Sequence, residues 1–310
     1  MLLDYYFNKL GNIPEFLKPY LEVNSLKRLK NVGYFCGMDY ASKDVYNFKE
    51  YITRYDHSLS VALLTYKLTD NKKATIAALF HDVATPCFSH VIDYMNKDYE
   101  KQESTEEYTE KIIRNDKELV NLLNKDHIYI EDVIDFKQYS IVDNERPKLC
   151  ADRLDGIILT GISWTKDITY EDIDAIIDSA KVYNNEYDEE EIGFVSEFVG
   201  KRVFDINENI NYYCHSNEDN FMMELLAKIT KYAISKKIIT YDNLYILDEE
   251  DIIALFEKSN DTFLKRMMSI FKNIKKEEIP IVTIENVKER LINPLVNGKR
   301  INKSMKMVLN

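Results

Sequence analysis

The chain contains few of the residues that interrupt helices, with 8 Gly and 6 Pro among 310 residues. Together with abundant Lys, Glu, Leu and Ile, this scarcity favours helix throughout. Cysteine is also scarce, and Cys36, Cys87, Cys150 and Cys214 stand apart with no C-x-x-C pair. This pattern argues against a disulfide-stapled secreted fold and indicates reduced thiols in a cytoplasmic protein.

A long apolar run and a surplus of positive charge are missing as well. No apolar stretch approaches the roughly 18 residues of a membrane span, and the N-terminus has no charged segment followed by an apolar one, so we expect no membrane association. Lys and Arg number 41 against 53 Asp and Glu, a formal net charge of −12. This charge argues against stable nucleic-acid binding, because a phosphate backbone would be repelled on average, but it allows a local basic pocket for a small phosphate ligand.

Apolar residues recur every three to four positions over several segments, which predicts an all-α protein. Hydrophobic residues make up 45% of the chain, enough for a substantial core. We predict helices in these segments: 1–20 with Pro14 at a helix start, Leu26 to Tyr34, an amphipathic helix from Ser58 to Leu68, Lys73 to Phe80, Lys148 to Leu159, Phe194 to Ile210, Phe221 to Lys236, and two within Asp242 to Lys272 of which Asp248 caps the first.

The acidic stretch from Asp188 to Glu191 predicts an exposed loop or helix cap. It is the most plausible boundary between two regions of the chain. We therefore expect one domain at 1–185 and a helical C-terminal region at 186–310. The end of the chain carries Lys299, Arg300, Lys303 and Lys306, whose positive charge is opposite in sign to the net charge of the chain. We interpret this tail as a solvated, partly disordered end, with binding of a phosphate or an acidic neighbouring subunit as the alternative.

Three separated segments each offer groups that bind metals. His57 stands near the start of one predicted helix, His81 and Asp82 follow another, and Asp152 lies on a third. Two neutral imidazoles and two carboxylates suit one divalent cation, such as Mn, Mg, Fe, Ni, Co or Zn, and leave positions for water and a substrate oxygen. Such a centre supports metal-assisted hydrolysis of a phosphate.

The spacing of His57, His81-Asp82 and Asp152, with Arg54 three residues before the first histidine, resembles the motif pattern of the HD superfamily of metal-dependent phosphohydrolases. The chain is most similar to the branch that includes the deoxynucleoside triphosphate triphosphohydrolases. The motifs that carry this resemblance are Leu26-Lys27-Arg28-Leu29, Arg54-Tyr55-Asp56-His57, His81-Asp82, Phe88-Ser89-His90 with Asp93, and Asp152-Arg153-Leu154-Asp155. The resemblance covers residues 14–160 well and 239–272 more loosely.

The resemblance implies an HD-domain helical bundle in which additional C-terminal helices pack on the domain and contribute to a homo-oligomer. Its substrate would be a small phosphorylated molecule, and nucleotides are the first class to consider. It assigns His57, His81, Asp82 and Asp152 to the metal. Arg54 would hold the substrate phosphate, because a guanidinium pairs two phosphate oxygens.

His90 and Asp93 are the remaining candidates for acid–base chemistry, beside Asp82. A carboxylate three residues away fixes the tautomer of an imidazole and raises its pKa, which makes His90 the candidate acid for the leaving oxygen. Gln102 and Glu103 fall where relatives carry a His-Glu pair, so we assign them to substrate binding, and Gln102 cannot titrate.

Other positions also depart from the family. Thr85 replaces a histidine, Tyr34 replaces a glutamine, and Gly156 replaces a tyrosine. We interpret Arg153 as a substrate contact and Asp155 as a structural residue in a salt bridge with a neighbouring helix.

Two alternatives to nucleotide hydrolysis stay open. One is a phosphomonoesterase that acts on nucleoside monophosphates. The other is a regulatory HD module that binds a nucleotide with little or no turnover, which Gln102 and Thr85 motivate.

Overall fold

The structure is a computed structural model that describes residues 1–100, 108–284 and 287–302. Within these ranges helices dominate, and the all-α prediction is confirmed. The α-helices are α1 Leu2–Leu10, α2 Asn24–Lys27, α3 Arg54–Thr69, α4 Lys72–Phe80, α5 Val91–Asn96, α6 Thr109–Asn115, α7 Lys117–Lys125, α8 Glu131–Ile134, α9 Ala151–Ser163, α10 Tyr170–Ser179, α11 Glu197–Cys214, α12 Asn217–Ser235, α13 Asn243–Ile246, α14 Glu249–Lys258 and α15 Thr262–Asn273.

Short 3₁₀ helices and strands connect the α-helices. The 3₁₀ helices are Lys18–Glu22, Arg28–Asn31, Met38–Tyr40, Phe136–Gln138 and Lys276–Glu278. The strands are β1 Ala180–Asn184, β2 Glu190–Phe194, β3 Leu295–Val296 and β4 Lys299–Arg300, in the order β1-β2-β3-β4. The β1–β2 and β3–β4 pairs are antiparallel, and β2 pairs with β3 in parallel.

Helix α3 lies at the centre of the fold, in contact with α1, α4 and α9. The helix predicted at 58–68 is confirmed, but its amphipathic character is not, because residues 57–65 are buried on all sides. A helix that neighbours surround has no solvent face, and its small residues Ser58, Ser60 and Ala62 let those neighbours approach.

Several predicted boundaries are wrong because backbone pairing elsewhere ends the helix. The helix expected from Leu26 to Tyr34 ends in a 3₁₀ turn at Asn31, since the backbone of Gly33 forms a β-bridge with Thr53. The helix expected from Lys148 begins at Ala151, because Leu149 bonds with Glu191 and Ile192 of β2. In the first twenty residues the helix is α1, which ends before Pro14.

The acidic stretch is not an exposed loop over its full length. Glu191 is fully buried in β2, where both of its carboxylate oxygens accept from Arg300, at 2.5 and 2.7 Å. Arg300 is therefore committed to an internal ion pair and is not part of a solvated tail. Lys303 and Lys306 lie outside the described residues. The β1–β2 hairpin spans the predicted boundary at residue 185, and the division into two regions stays a prediction.

The C-terminal helices α11 and α12 confirm the two long helices expected in that region. The segment 242–272 contains three helices where two were predicted, and Asp248 occupies the N-cap position of α14. Helix α12 packs on α5 and α15. No described helix combines the length and apolar character needed to cross a membrane.

Candidate metal centre and substrate cleft

The ends of three helices bring the candidate metal ligands together. Thr53 caps α3 through the backbone N–H of Asp56, so His57 lies in the first turns of that helix. His81 and Asp82 directly follow α4, and Asp152 lies in the first turn of α9. Because α3 packs against both α4 and α9, residues far apart in the sequence meet at one point.

At this point the four side chains lie within a few ångströms of one another. His57 Nε2 is 2.9 Å from Asp152 Oδ1, and His81 Nε2 is 3.6 Å from the same oxygen. Asp82 Oδ2 lies 3.9 Å from His57 Nε2, and Asp82 Oδ1 lies 3.9 Å from His81 Nε2. The ligand atoms of the two histidines and Asp152 all lie within 4.8 Å of one another. This His/Asp cluster could hold a divalent metal.

The hydrogen bonds of the histidines fit that chemistry. His81 Nδ1 lies 2.7 Å from the carbonyl oxygen of Ala78, to which it donates. Among the described residues, the buried Nε2 of His81 has no hydrogen-bond partner. His57 Nδ1 lies 2.7 Å from Asp155 Oδ2, so that its Nε2 also faces the cluster. A metal-ligating imidazole characteristically donates its other N–H to a carboxylate or carbonyl oxygen, and an orphaned buried nitrogen is otherwise costly.

Asp155 contacts the cluster directly, which sequence reasoning did not predict. As expected, Asp155 contacts a neighbouring helix. Its partner on that helix is the candidate metal ligand His57, and not a Lys or Arg in a purely structural salt bridge. Its second oxygen accepts from the Tyr6 hydroxyl at 2.6 Å. The signal was present in the D-x-x-D spacing of Asp152 and Asp155, which puts two carboxylates on similar sides of one helix.

Carboxylates dominate the electrostatics of the cluster. Burial opposes protonation of His57, but Asp152 and Asp155 outweigh it and raise the pKa of His57 to about 10. The same balance raises the pKa of His81, chiefly through Asp82 and Asp152. Burial disfavours the Asp82 carboxylate, yet the Arg54 guanidinium and the two histidines hold the pKa of Asp82 well below its usual range. The cluster therefore attracts positive charge.

Arg54 is buried beside the cluster. Its NH1 donates to Asp82 at 2.9 Å, its Nε to Ser89 Oγ at 3.1 Å, and its NH2 to the carbonyl oxygen of Tyr34 at 3.4 Å. The guanidinium also stacks 4.8 Å from the centre of the Tyr34 ring. These contacts fix Arg54 at the wall of the cleft, where it is positioned for an anionic ligand.

His90 and Asp93 form the expected pair, with His90 Nδ1 2.8 Å from Asp93 Oδ2. The expected rise in the pKa of His90 is wrong. Burial lowers that pKa, and the charges of Arg54 and Arg290 add to the decrease, so that they outweigh the contribution of Asp93. The imidazole is thus neutral near pH 7 without a ligand, and Asp93 fixes its orientation.

Two cavities meet at the cluster. The first has a volume of about 210 Å³ and an aromatic wall built from Phe35, Tyr46, Phe48 and Trp164. The second is a polar cleft of about 690 Å³. Residues that line both are Arg54, His90, Arg146, Asp152, Arg153 and Arg290.

The polar cleft is rich in cations that the sequence did not reveal. Burial, together with the neighbouring charges of Arg153 and Arg290, lowers the pKa of Arg146 to about 9. Lys137, Lys148 and Lys288 also line the cleft. Such a concentration of positive charge favours an anionic ligand. Arg146 and Arg290 stand outside the motifs, and nothing in their local sequence indicated a role.

The guanidinium of Arg153 donates to Asn144 Oδ1, to Asp143 Oδ1 and to the carbonyl oxygens of Asn144 and Lys148. These contacts hold the loop before α9 against the helix, and Arg153 also borders the cleft. Its role as a substrate contact stays a prediction. Gln102 and Glu103 lie outside the described residues.

The two histidines and the two aspartates of the cluster all lie between residues 54 and 156. Residues 54–156 match the HD domain family. This match and the relatives described next support membership of the HD superfamily, whose domains bind divalent metals.

Two curated proteins are similar in sequence. The uncharacterised protein YdhJ of Bacillus subtilis is 29% identical over 260 residues, which cover 81% of this chain and 76% of YdhJ. The metal-dependent phosphohydrolase cns2 of Cordyceps militaris is 26% identical over 132 residues, 43% of this chain and 37% of cns2.

Two solved structures share the fold. A hypothetical protein from Aquifex aeolicus superimposes with a TM-score of 0.59 at 19% identity, covering 84% of this chain and 71% of that one. A phosphohydrolase from Bacteroides thetaiotaomicron superimposes with a TM-score of 0.58 at 18% identity, covering 84% of this chain and 74% of that one. The comparisons support the HD superfamily without selecting the triphosphohydrolase branch.

Proposed function

We propose that the chain is a metal-dependent phosphohydrolase that acts on a phosphate ester or anhydride bond of a nucleotide. The observation that carries this proposal is the buried Nε2 of His81, which has no hydrogen-bond partner in the described part of the chain and faces Asp152 and Asp82 beside Arg54. The names of relatives as phosphohydrolases support it. We assign His57, His81, Asp82 and Asp152 to one divalent cation, which when bound supplies Lewis acidity toward a phosphoryl oxygen and water.

The protein side chains would divide the remaining work. Arg54 would orient the reacting phosphate, because Asp82, Ser89 and Tyr34 hold its guanidinium in place before a substrate arrives. A phosphate in the cleft would offset the charges of Arg54 and Arg290 that keep the pKa of His90 low. The imidazole could then hold a proton at Nε2 and pass it to the leaving oxygen, while Asp93 keeps Nδ1 engaged.

The two cavities support a nucleotide as substrate. The aromatic cavity of about 210 Å³ is large enough for a flat ring system but small for a complete drug-sized ligand. The cationic cleft, which shares Arg54, His90 and Asp152 with this cavity, would accommodate the phosphates. A nucleotide carries both kinds of group, because its sugar links the ring system of the base to the phosphates, and both cavities border the cluster at Asp152.

Metal analysis tests the assignment of the ligands. Protein purified without chelator should contain close to one equivalent of a divalent metal, measured by mass spectrometry. Asp82→Ala should lose this metal and stay folded, whereas Asp205→Ala, an exposed aspartate on α11, should keep it. Retained metal in Asp82→Ala would remove the assignment.

A nucleotide panel tests the reaction. Mono-, di- and triphosphates are incubated with the protein and Mn²⁺, Mg²⁺, Fe²⁺, Co²⁺ or Ni²⁺, and released phosphate, pyrophosphate and triphosphate are measured. Phosphate from monophosphates alone would indicate the phosphomonoesterase. A nucleotide that raises the melting temperature without any product would indicate the regulatory module. We also propose a cytoplasmic homo-oligomer, which sedimentation analysis of the purified protein would test.

A further inference from the structure

The loop at 83–89, which joins the His81-Asp82 pair to His90, is held from outside by two other parts of the chain. Arg28 donates from NH2 to the carbonyl oxygens of Val83 and Thr85, at 3.2 and 2.6 Å. The second half of the loop bonds instead to the α13–α14 region, where the backbone N–H of Cys87 donates to the Leu244 carbonyl oxygen at 2.7 Å.

Glu249, the first residue of α14, is the side chain of that region that bonds with the loop. It is fully buried. Its Oε1 accepts from the backbone N–H of Phe88 at 2.7 Å, and its Oε2 accepts from the backbone N–H of Gly33 at 3.0 Å. One carboxylate thus joins two loops that are distant in sequence.

These two loops supply two of the three acceptors of the Arg54 guanidinium, and Asp82 supplies the third. Ser89, next to Phe88, accepts from Arg54 Nε, and Tyr34, next to Gly33, accepts from Arg54 NH2. The Gly33 segment also pairs with the backbone that leads into α3. Two of the three acceptors for Arg54, Ser89 and Tyr34, are therefore each one residue away from an amide that Glu249 binds, and the third acceptor is Asp82.

The backbone of the 83–89 loop needs such external support. Phe88 and Ser89 have φ angles of 65° and 45°. These angles lie in the left-handed region, which residues other than glycine rarely adopt. Strained backbone of this kind persists only where its surroundings hold it. Gly33 allows the close approach on the other side, since a Cβ there would lie 3.0 Å from Glu249 Oε2 and 2.9 Å from Asp39 Oδ2.

We infer that Glu249 is a positioning residue of the active site, which holds the 33–34 and 88–89 loops together so that Arg54 and His90 keep their places at the cleft. The inference rests on the proposed function for its kinetic consequence. It gives the C-terminal region a role in the site itself and not only in packing.

The test compares substitutions at Glu249 with the same substitutions at its exposed neighbour Glu250. Glu249→Ala removes both acceptors, and Glu249→Gln keeps one carbonyl oxygen. The full-length, metal-loaded protein is measured above pH 8, where the carboxyl is ionised, because burial raises the pKa of Glu249 to about 8. The readouts are backbone hydrogen exchange of peptides covering residues 83–92, metal content, and kcat and KM with the substrate that the nucleotide panel identifies.

We expect faster exchange over 83–92 in both Glu249 variants and wild-type exchange in both Glu250 variants. In Glu249→Ala, kcat should fall by about a hundred-fold, the scale of a misplacement of about 1 Å, while metal content stays near one equivalent. Glu249→Gln should lie between Glu249→Ala and the wild type, and it decides the question if Glu249→Ala does not fold.

Equal exchange over 83–92 in the Glu249 and Glu250 variants would overturn the inference. If the wild type is active, an unchanged kcat in the Glu249→Ala variant would also overturn the inference. If the wild type hydrolyses nothing, the proposed function fails, and the exchange measurement alone decides whether Glu249 holds the loop. Faster exchange spread evenly over all helices would assign Glu249 to general stability and would also reject the positioning role.

Discussion

Replacing Asp155 by asparagine should weaken metal binding without removing a single candidate ligand. Asp155 is fully buried and serves two donors, His57 Nδ1 at 2.7 Å and the Tyr6 hydroxyl at 2.6 Å. Asparagine has nearly the same shape but only one acceptor oxygen. If that oxygen stays with Tyr6, the amide N–H₂ faces His57 Nδ1 and favours the tautomer protonated at Nε2, the nitrogen that faces the cluster.

The size of this effect follows from the role of such partners. Loss of the carboxylate that orients a metal-binding histidine typically costs about 10- to 100-fold in affinity, or about 1.4 to 2.8 kcal/mol at roughly 1.4 kcal/mol per tenfold. Calorimetric titration of metal-free protein with Mn²⁺ or Ni²⁺ measures it directly. Tyr6→Phe is the matched control, because it removes one hydrogen bond of about 1 kcal/mol and leaves the Asp155–His57 contact intact. A folded Asp155→Asn protein with wild-type affinity would refute the assigned role.

Three further outcomes follow from the charges of the site and the sheet. Because the pKa of His57 is raised from 6.5 to about 10, metal-free protein should lose stability progressively as pH rises from about 6.5 to about 10. Metal affinity should increase over the same range as the competing proton leaves, and a flat affinity in titrations at several pH values would contradict this. His90→Gln should keep its metal and lose about 10²- to 10⁴-fold in turnover, and undiminished product release would exclude His90 as the acid. Arg300→Met leaves the buried carboxylate of Glu191 unpaired and should cost about 3 to 5 kcal/mol in urea unfolding, against little change for Lys299→Met.

Two departures from the family pattern turn out to be connected in space. The family resemblance implied a glutamine at position 34 and a tyrosine at position 156, where the chain has Tyr34 and Gly156. In the structure a Cβ on Gly156 would lie 2.9 Å from the hydroxyl of Tyr34, and the Tyr34 ring packs 5.0 Å from His57. The ring from one position therefore occupies the space beside the other, a relation that neither position reveals alone.

The sequence predicted most reliably what depends on local chemistry. The predicted helices at 58–68 and 73–80 rest on an apolar period that the chain satisfies within each segment, and both are confirmed. Boundaries set by distant backbone were missed: α9 begins at Ala151 because Leu149 pairs with β2, and the early helix ends at Asn31 because Gly33 pairs with Thr53. A hydrogen bond to a partner far along the chain has no signature in a short window.

By itself the sequence determined the kind of chemistry available, since the spacing of His57, His81-Asp82 and Asp152 places imidazoles and carboxylates at helix ends and the composition favours helix. Only the tertiary structure decided which charged groups act together. It assigned Asp155 to His57 and Arg300 to Glu191, and it brought Glu249 and Arg290 to the site from the C-terminal region. The physical reason is that the energy of a charge depends on burial and on neighbours within a few ångströms, and those are properties of the packed chain.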